Sequence, residues 1–250
     1  MNSVVMTPYR DIKAESFAGV QKVFQGYLQS HYPSLPVPTI YENGVAVSHM
    51  VSGLTVNAFE APYFWVNSSN REQAKQLIMF GMERIPSGIF YWHGDLDNEP
   101  HLQSSNDLVF IYSQDNGQQH SRGKLRWISS PLASTDILMD ELKEYFPPSD
   151  FWNDKFRFVG LEIDGKLVSI LDYSVQYDNS CVIQKVVTAD SLRGKGYGTE
   201  LVGSFSQSVS CMESGIYYVC DEKNIASVKT VVKAGFKESD SIKVLQKKEC

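Results

Sequence analysis

Two hydrophobic periodicities alternate along this 250-residue chain. Apolar residues that recur every three or four positions predict amphipathic helices at residues 11–32, 71–85, 135–145, 198–212 and 224–235. Short runs rich in β-branched and aromatic residues, bounded by turn residues, predict strands. These runs lie within residues 40–66 and at 89–92, 125–128, 156–163, 167–175, 181–187, 216–220 and 242–246. The alternation predicts an α/β fold built on a mixed sheet.

A polar, turn-rich segment divides the chain. Residues 114–123 read Q-D-N-G-Q-Q-H-S-R-G, which is typical of a connection between domains. We therefore predict a smaller α/β domain at residues 1–120 and a second domain at residues 121–250. Since both halves mix helices with hairpin strands, the first could be a diverged copy of the second, although it has no matching glycine motif.

Composition and charge indicate which kinds of binding partner this protein is expected to lack. The net charge is −6 and the pI is near 5.4, which argues against a nucleic-acid-binding surface. The four cysteines form no C-x-x-C pair, which favours reduced thiols in a cytoplasmic protein. The N-terminus does not resemble a signal peptide, and no run approaches the ~20 apolar residues of a membrane span. We expect a cytoplasmic protein with no membrane partner.

The most informative stretch is S-L-R-G-K-G-Y-G-T-E-L at residues 191–201, which follows a strand and begins a helix. Glycine lets a backbone approach a ligand closely, and the first N–H groups of a helix have no partner inside it. These donors and the helix dipole favour a bound phosphate, and Arg193 and Lys195 add positive charge. The pattern predicts an anion-binding loop.

Three other interpretations of this loop compete with anion binding. The simplest is a flexible surface turn with two solvated cations. A nicotinamide-binding crossover gains support from Asp221 at the end of the next strand, where a ribose-binding carboxylate would lie. Against it, the spacing is G-x-G-x-G, with Thr199 where the third glycine of G-x-G-x-x-G belongs. A P-loop is excluded because no Gly-Lys-Ser/Thr follows.

The stretch V-V-T-A-D-S-L-R-G-K-G-Y-G-T-E-L resembles motif A of the GNAT superfamily of N-acyltransferases, Arg/Gln-x-x-Gly-x-Gly/Ala. Arg193, Gly196 and Gly198 fill this pattern. Farther along, N-I-A-S from Asn224, followed by A-G-F ending at Phe236, is similar to the family's N-x-x-S … G-F segment. The resemblance covers residues 121–250, and no family is recognised in the first 120 residues. It implies a GNAT fold in the C-terminal half.

The resemblance implies that acyl-CoA lies where two central strands diverge. Backbone N–H groups of residues 194–199 would bind its pyrophosphate, and main-chain groups of Val186 and Thr188 would pair with its pantetheine arm. Asn224 would hydrogen-bond the same arm, or serve only as a helix N-cap. The predicted cofactor-binding residues are Val186, Val187, Thr188, Arg193, Gly194, Lys195, Gly196, Tyr197, Gly198, Thr199, Asn224 and Ser227.

The implied reaction is acetyl transfer from acetyl-CoA to a primary amine, with a small molecule favoured over a protein. A main-chain N–H near Val187 would stabilise the thioester oxygen. Many family members carry a tyrosine seven residues after the asparagine as general acid, but Val231 stands there in this chain. Candidate replacements for the acid are Tyr173, Tyr217 and Tyr218, and candidates for the base are Glu162 and Asp172. The alternative is a non-catalytic module that binds or senses acyl-CoA.

A second polar cluster lies in the first half. The segment from His93 to His101 places five potential metal ligands at alternate positions, which on a strand would share a face. Because Gly94, Asn98 and Pro100 interrupt it, we interpret it as a solvated loop and predict no metal site.

Overall fold

The computed structural model describes residues 3–12, 34, 36–43, 45–52, 63–94, 96, 99–113, 121–128, 137–146, 157–175, 179–210 and 215–248. Nearly all of the helix predicted at residues 11–32 lies outside the described residues. So do residues 114–120 of the predicted interdomain segment and the start of the helix predicted at 135–145.

The chain forms two compact units. The first consists of Met1–Asp107 with Ser241–Cys250, and the second of Leu108–Asp240. The strands β6 (Leu102–Tyr112) and β12 (Phe236–Lys247) each contribute residues to both units. The division at residues 120 and 121 that the sequence suggested stays a prediction.

The described part of the first unit includes a short 3-10 helix (Tyr9–Asp11), one α-helix and five strands. They are β1 (Val4–Pro8), β2 (Pro36–Glu42), β3 (Val45–Ser52), β4 (Tyr63–Asn67), α1 (Arg71–Arg84) and β5 (Ile89–Trp92). Strands β1 to β4 are antiparallel neighbours, β4 and β5 are parallel, and the end of β12 is antiparallel to β5. Helix α1 forms the crossover between β4 and β5.

Helix α1 follows the predicted pattern closely. The side chain of Asn70 accepts from the N–H groups of Glu72 and Gln73, so the helix begins directly after a residue that caps it. Leu77 and Ile78 are fully buried, and they pack in one core with Phe90 of β5. Burial of this face, rather than helix propensity alone, holds the helix on the sheet.

The second unit contains the remaining elements in chain order. They are β7 (Lys124–Ile128), α2 (Asp140–Lys143), β8 (Arg157–Ile163), β9 (Lys166–Val175), β10 (Cys181–Thr188), a 3-10 turn (Asp190–Leu192), α3 (Tyr197–Ser208), β11 (Ile216–Asp221) and α4 (Ile225–Lys233). Within this unit the strand order is β12-β6-β11-β10-β9-β8-β7. This mixed sheet confirms the predicted fold class.

Local turn chemistry in the second unit also agrees with the sequence. Asp164 and Gly165 have φ values of 48° and 77°, which is the conformation of a type I′ hairpin turn between β8 and β9. Helix α3 ends at Ser208, four residues earlier than predicted, and Met212 lies outside the described residues. Leu201, Val202 and Phe205 form its buried face.

Strands β10 and β11 separate inside the sheet. Their parallel pairing covers only Cys181 to Ile183, opposite Ile216 to Tyr218. Beyond that point the register of β10 against β9 shifts between Ile183 and Lys185, as in a β-bulge. Strand β10 then remains paired with β9 as far as Thr188 and Ser169. A gap therefore opens on the β11 side of β10, as the resemblance implied.

Candidate functional site

A cavity of about 540 Å³ lies at this gap in the second unit. Its walls come from the end of β10, the glycine loop, the start of α3, and α4. The residues that line it are Tyr145, Val186, Val187, Thr188, Leu192, Arg193, Gly194, Gly196, Tyr197, Gly198, Thr199, Tyr218, Asn224, Ala226, Ser227, Lys229, Thr230 and Lys233. All of the predicted cofactor-binding residues except Lys195 are in this set.

The glycine loop takes a conformation that needs glycine. Gly194 and Gly196 have φ values of 75° and 85°, in the left-handed region that side chains disfavour. Gly196 is the N-cap of α3, and no side chain caps the helix. The first helical bond described here joins the N–H of Glu200 to the carbonyl of Gly196 at 3.0 Å. The N–H groups of the first helical residues are therefore not used inside the helix.

Gly198 allows α3 to begin close to β10. A Cβ atom on Gly198 would lie 3.2 Å from Oγ1 of Thr188 and 3.8 Å from Cγ2 of Thr230. Both contacts involve side chains that line the cavity. The absence of a side chain at this position thus keeps the helix terminus near the open edge of β10.

The first unit offers an instructive contrast. It too has a parallel β–α–β crossover, through β4, α1 and β5. There, however, the Asn70 side chain occupies the N–H groups of Glu72 and Gln73 at 2.9 and 3.3 Å. The helix terminus in the first unit is therefore capped by its own chain, whereas the terminus of α3 carries no side-chain cap.

Backbone direction along β10 decides which main-chain groups face the gap. The N–H of Ala189 donates to the carbonyl of Val168 on the β9 side at 3.0 Å. Because backbone groups alternate along a strand, those of Val187 also face β9, and those of Val186 and Thr188 face away from it. Ser169 supports this arrangement, since its hydroxyl donates to the carbonyl of Val187 at 2.9 Å.

Arg193 is the loop cation whose side chain interacts at the cavity wall. Its guanidinium lies 2.7 Å from the carboxylate of Asp190 and donates to the Tyr145 hydroxyl at 3.1 Å. Lys229 and Lys233, one turn apart on α4, line the same cavity. The walls therefore combine N–H donors with basic side chains, which suits an anionic ligand.

Asn224, Ser227 and Tyr218 meet at the opposite wall. The side-chain oxygen Oδ1 of Asn224 accepts from the N–H of Ser227 at 3.1 Å, so Asn224 caps α4. The Tyr218 hydroxyl donates to Oγ of Ser227 at 3.4 Å. Tyr218 is only 3% exposed, and burial raises its pKa to about 12. This phenol therefore keeps its proton throughout the neutral range.

Of the five candidate catalytic residues, only Tyr218 belongs to the described lining of the cavity, which does not include Glu162, Asp172, Tyr173 or Tyr217. Glu162 is paired with Arg126 at 2.8 Å. Tyr173 packs against the Phe205 ring at a centroid distance of 4.7 Å, and burial raises its pKa. Asp172 is half-buried on β9, and its charge contributes to the raised pKa of Tyr218. Val231, at the position where a tyrosine is common, is fully buried in the core.

The acidic segment near residue 93 is partly outside the described residues, since Asp95 and Asp97 are not described. Glu99 forms an ion pair with Lys75 at 2.7 Å. Within the described part of the chain, no group of three His, Cys, Asp or Glu side chains is placed to hold a metal ion. The described helices include none long and apolar enough to cross a membrane.

One part of the site was missed from sequence. Residues 121–123, which we assigned to the connection between domains, bond to Glu200 in the first turn of α3. The only available signal was an arginine between a serine and a glycine immediately before a strand. That pattern is too common to predict a contact with a loop more than 70 residues away.

The second unit is similar in sequence to a known protein family. Residues 125–236 match the model of the Acetyltransferase (GNAT) family. No curated protein matches the chain in sequence. Among solved structures, a GCN5-related N-acetyltransferase from Sphaerobacter thermophilus is similar, with a TM-score of 0.62 and 11% identity. The alignment covers 92% of this chain and 86% of that one.

Two further structures extend this likeness. A GCN5-related N-acetyltransferase from Kribbella flavida gives a TM-score of 0.58 at 11% identity, over 80% of this chain and 87% of that one. A GNAT-family acetyltransferase from Colwellia psychrerythraea gives 0.51 at 14% identity, over 96% and 93%. At such identities the likeness is one of fold. Its coverage extends beyond residues 125–236.

Proposed function

We propose that this chain, in which residues 125–236 match the model of the Acetyltransferase (GNAT) family, transfers an acetyl group from acetyl-CoA to a primary amine. The acceptor we favour is a small molecule, and the net charge of −6 suits a cationic amine. A cytoplasmic enzyme that uses no metal is part of the same proposal.

The observation that carries the proposal is the cavity where β10 and β11 separate. At its mouth, an uncapped helix terminus and the left-handed residues Gly194 and Gly196 present backbone donors. A diphosphate is the part of acetyl-CoA that such donors would hold. The open edge of β10, with main-chain groups of Val186 and Thr188, would pair with the amides of the pantetheine arm, as in strand addition.

The chemistry we propose is direct attack of the neutral amine on the thioester carbon. The C–N bond forms, negative charge develops on the thioester oxygen, and the C–S bond then breaks to release the CoA thiolate. A backbone N–H at the gap would stabilise the oxygen. Since the Val187 groups face β9, the N–H of Val186 or Thr188 is better directed for this role than that of Val187.

For the departing thiolate we propose Tyr218 as the proton donor. Tyr218 lines the cavity, and its hydroxyl is protonated at neutral pH because burial raises its pKa to about 12. A phenol with this pKa stabilises a thiolate mainly by donating a hydrogen bond, and the thiolate takes its proton through that bond or from water. Tyr218 would thus supply the donor that Val231 cannot.

For the base that accepts the amine proton we retain Asp172, a half-buried carboxylate on β9 that lies outside the described lining of the cavity and would act through water. Glu162 is a weaker candidate, since its carboxylate is bound to Arg126 outside the cavity. An alkyl amine has a pKa near ~10 and needs to lose a proton before it attacks. A carboxylate working through water would serve this purpose.

The test is thiol release from acetyl-CoA across a panel of primary amines, with the acetylated product identified by mass spectrometry. The wild type should release CoA with at least one amine. Tyr218→Phe should lower kcat by about 10²-fold, which is at the lower end for loss of a general acid. Tyr217→Phe, on the same strand but not in the described lining, is the matched control and should retain activity.

The alternative is a module that binds acyl-CoA without turnover. It is favoured by one observation, the burial of Val231 where a catalytic tyrosine is common. Calorimetry with CoA beside the amine panel separates the two. Tight binding with no product from any amine would favour the module and contradict the enzyme. Absence of CoA binding would reject both.

A further inference from the structure

Glu200, in the first turn of α3, is bound by residues 121–123. Its carboxylate accepts from Nε of Arg122 at 2.8 Å, from the N–H of Gly123 at 2.9 Å and from Oγ of Ser121 at 3.0 Å. The side chain is only 6% exposed. Burial raises the pKa of Glu200, but the hydrogen bonds outweigh it and leave the pKa below its usual value. The carboxylate is therefore ionised at neutral pH and needs a counter-charge.

Arg122 extends from Glu200 to the glycine loop. Its Nη2 donates to the carbonyl oxygen of Lys195 at 3.0 Å. The guanidinium also lies over the Tyr197 ring, 4.5 Å from the centroid. A Cβ atom on Gly196 would be 3.5 Å from Nη2. One planar side chain thus contacts Lys195 and Tyr197 and lies beside Gly196, although Arg122 is not in the described lining of the cavity.

The bond to Lys195 fixes the direction of a peptide group. The carbonyl of Lys195 and the N–H of Gly196 belong to one planar unit and point in opposite directions. With the carbonyl held toward Arg122, the N–H of Gly196 is directed away from Arg122. Because this peptide is followed by a glycine, Gly196, its rotation would otherwise meet little steric resistance on that side.

The ion pair also removes an unfavourable charge. Glu200 lies in the first turn of the helix whose N-terminus would receive an anion. An uncompensated carboxylate there would repel a diphosphate. The guanidinium of Arg122 compensates this charge, and the N–H groups of residues 122 and 123 hydrogen-bond the carboxylate.

We propose that Arg122, anchored by Glu200, is a positioning residue that orients the Lys195–Gly196 peptide to bind the diphosphate of acetyl-CoA. The inference rests on the proposed function, because it takes the diphosphate as the ligand of the loop. The proposal adds to the binding site a residue that belongs neither to the glycine motif nor to the described cavity lining. Arg122 acts through the backbone of the loop and not by contact with the acyl group.

The experiment compares Arg122→Met with Arg126→Met in the full chain. Arg126 is a matched control, since it pairs with a glutamate at the same 2.8 Å and its side chain is 46% exposed against 52% for Arg122. Affinities for CoA and for pantetheine, which lacks the diphosphate, are measured by NMR titration. Arg122→Met should weaken CoA binding at least tenfold, while pantetheine binding changes less than twofold. Arg126→Met should change neither.

Each remaining outcome has a defined meaning. Equal loss for both ligands would indicate general distortion and overturn the proposal, as would equal CoA affinity in the two methionine variants. Arg122→Lys keeps the charge, but its single ammonium does not reproduce the planar fork that joins Glu200 to Lys195. The Arg122→Lys variant should still lose at least fivefold in CoA affinity. If Arg122→Met does not fold, Arg122→Lys alone tests the orienting role. Full affinity in Arg122→Lys would refute the orienting role. If the wild type does not bind CoA, the proposed function fails first.

Discussion

Gly196 shows how one backbone angle serves the site. Its φ of 85° is in the left-handed region, and it is the N-cap of α3 without a side-chain cap. A side chain at this position would strain the loop without blocking it, because the nearest atom to an added Cβ is Nη2 of Arg122 at 3.5 Å. A substitution at Gly196 therefore tests the conformation of the loop without filling the cavity.

We predict that Gly196→Ala weakens CoA binding about tenfold or more and lowers the free energy of unfolding by ~1 kcal/mol. Gly165→Ala is the matched control, since Gly165 has a φ of 77° and open space around it, but lies in a hairpin turn. It should lose similar stability and keep its affinity. Calorimetry and urea unfolding measure the two quantities. Equal affinity in both variants would remove the loop from the site.

His49 is the residue at which pH should act on stability. It is 4% exposed on β3, and burial lowers its pKa from 6.5 to about 4. Between these two values the unfolded chain binds a proton that the folded chain does not. The contribution to stability is therefore fully present above pH 6.5, declines as the pH falls from 6.5, and is lost once the pH passes below about 4.

We predict that the free energy of unfolding falls by ~2 to 3 kcal/mol more in the wild type than in His49→Gln between pH 7 and pH 4.5. The comparison removes the contribution of the carboxylates, which both proteins share. Replacing the exposed His101 by glutamine should leave the wild-type dependence intact. Parallel curves for wild type and His49→Gln, measured by urea unfolding, would show that His49 is not the group responsible.

At the scale of elements, two β–α–β crossovers illustrate two uses of a helix N-terminus. Asn70 fills the terminus of α1 with its own side chain, and Asn224 does the same for α4 by accepting from the N–H of Ser227. Helix α3 lacks such a cap and begins at the cavity. Asn224 both caps a helix and lines the cavity, so its side chain could serve the helix, the ligand or both.

The two functions of Asn224 can be separated by a paired substitution. Asn70→Ala and Asn224→Ala should each cost ~1 kcal/mol of stability, the usual value of an N-cap. Only Asn224→Ala should also weaken CoA binding, by about three- to tenfold for one lost hydrogen bond. Thermal unfolding and calorimetry give both numbers. If Asn224→Ala loses stability alone, Asn224 is a cap and nothing more.

The elements that the sequence predicted well are those whose local chemistry and burial agree. Helix α1 has a capping asparagine, a buried apolar face and a following proline and glycine, and its predicted end differed by one residue. Strand β6 was missed because its first half, L-Q-S-S-N-D, has no alternating apolar pattern. Its place in the sheet depends on its neighbours, which a local pattern does not contain.

For the whole molecule, the predictable part of the site is the part that is local in sequence. The glycine loop and the N-cap of α4 could be read from single segments, and both line one cavity. The ion pair between Arg122 and Glu200 could not be predicted in this way. Its partners are 78 positions apart, and only the folded chain brings them together. Likewise, no local signal indicated that Ser241–Cys250 return to the first unit.

The central claim is that the backbone at the start of α3 binds the diphosphate of acetyl-CoA. The most direct test is a crystal structure of the full chain with acetyl-CoA bound. We predict that the diphosphate oxygens accept from N–H groups of residues 194–199, with the pantetheine arm in the gap beside Val186 and Thr188. A diphosphate bound elsewhere on the chain, with no contact to these N–H groups, would contradict the claim.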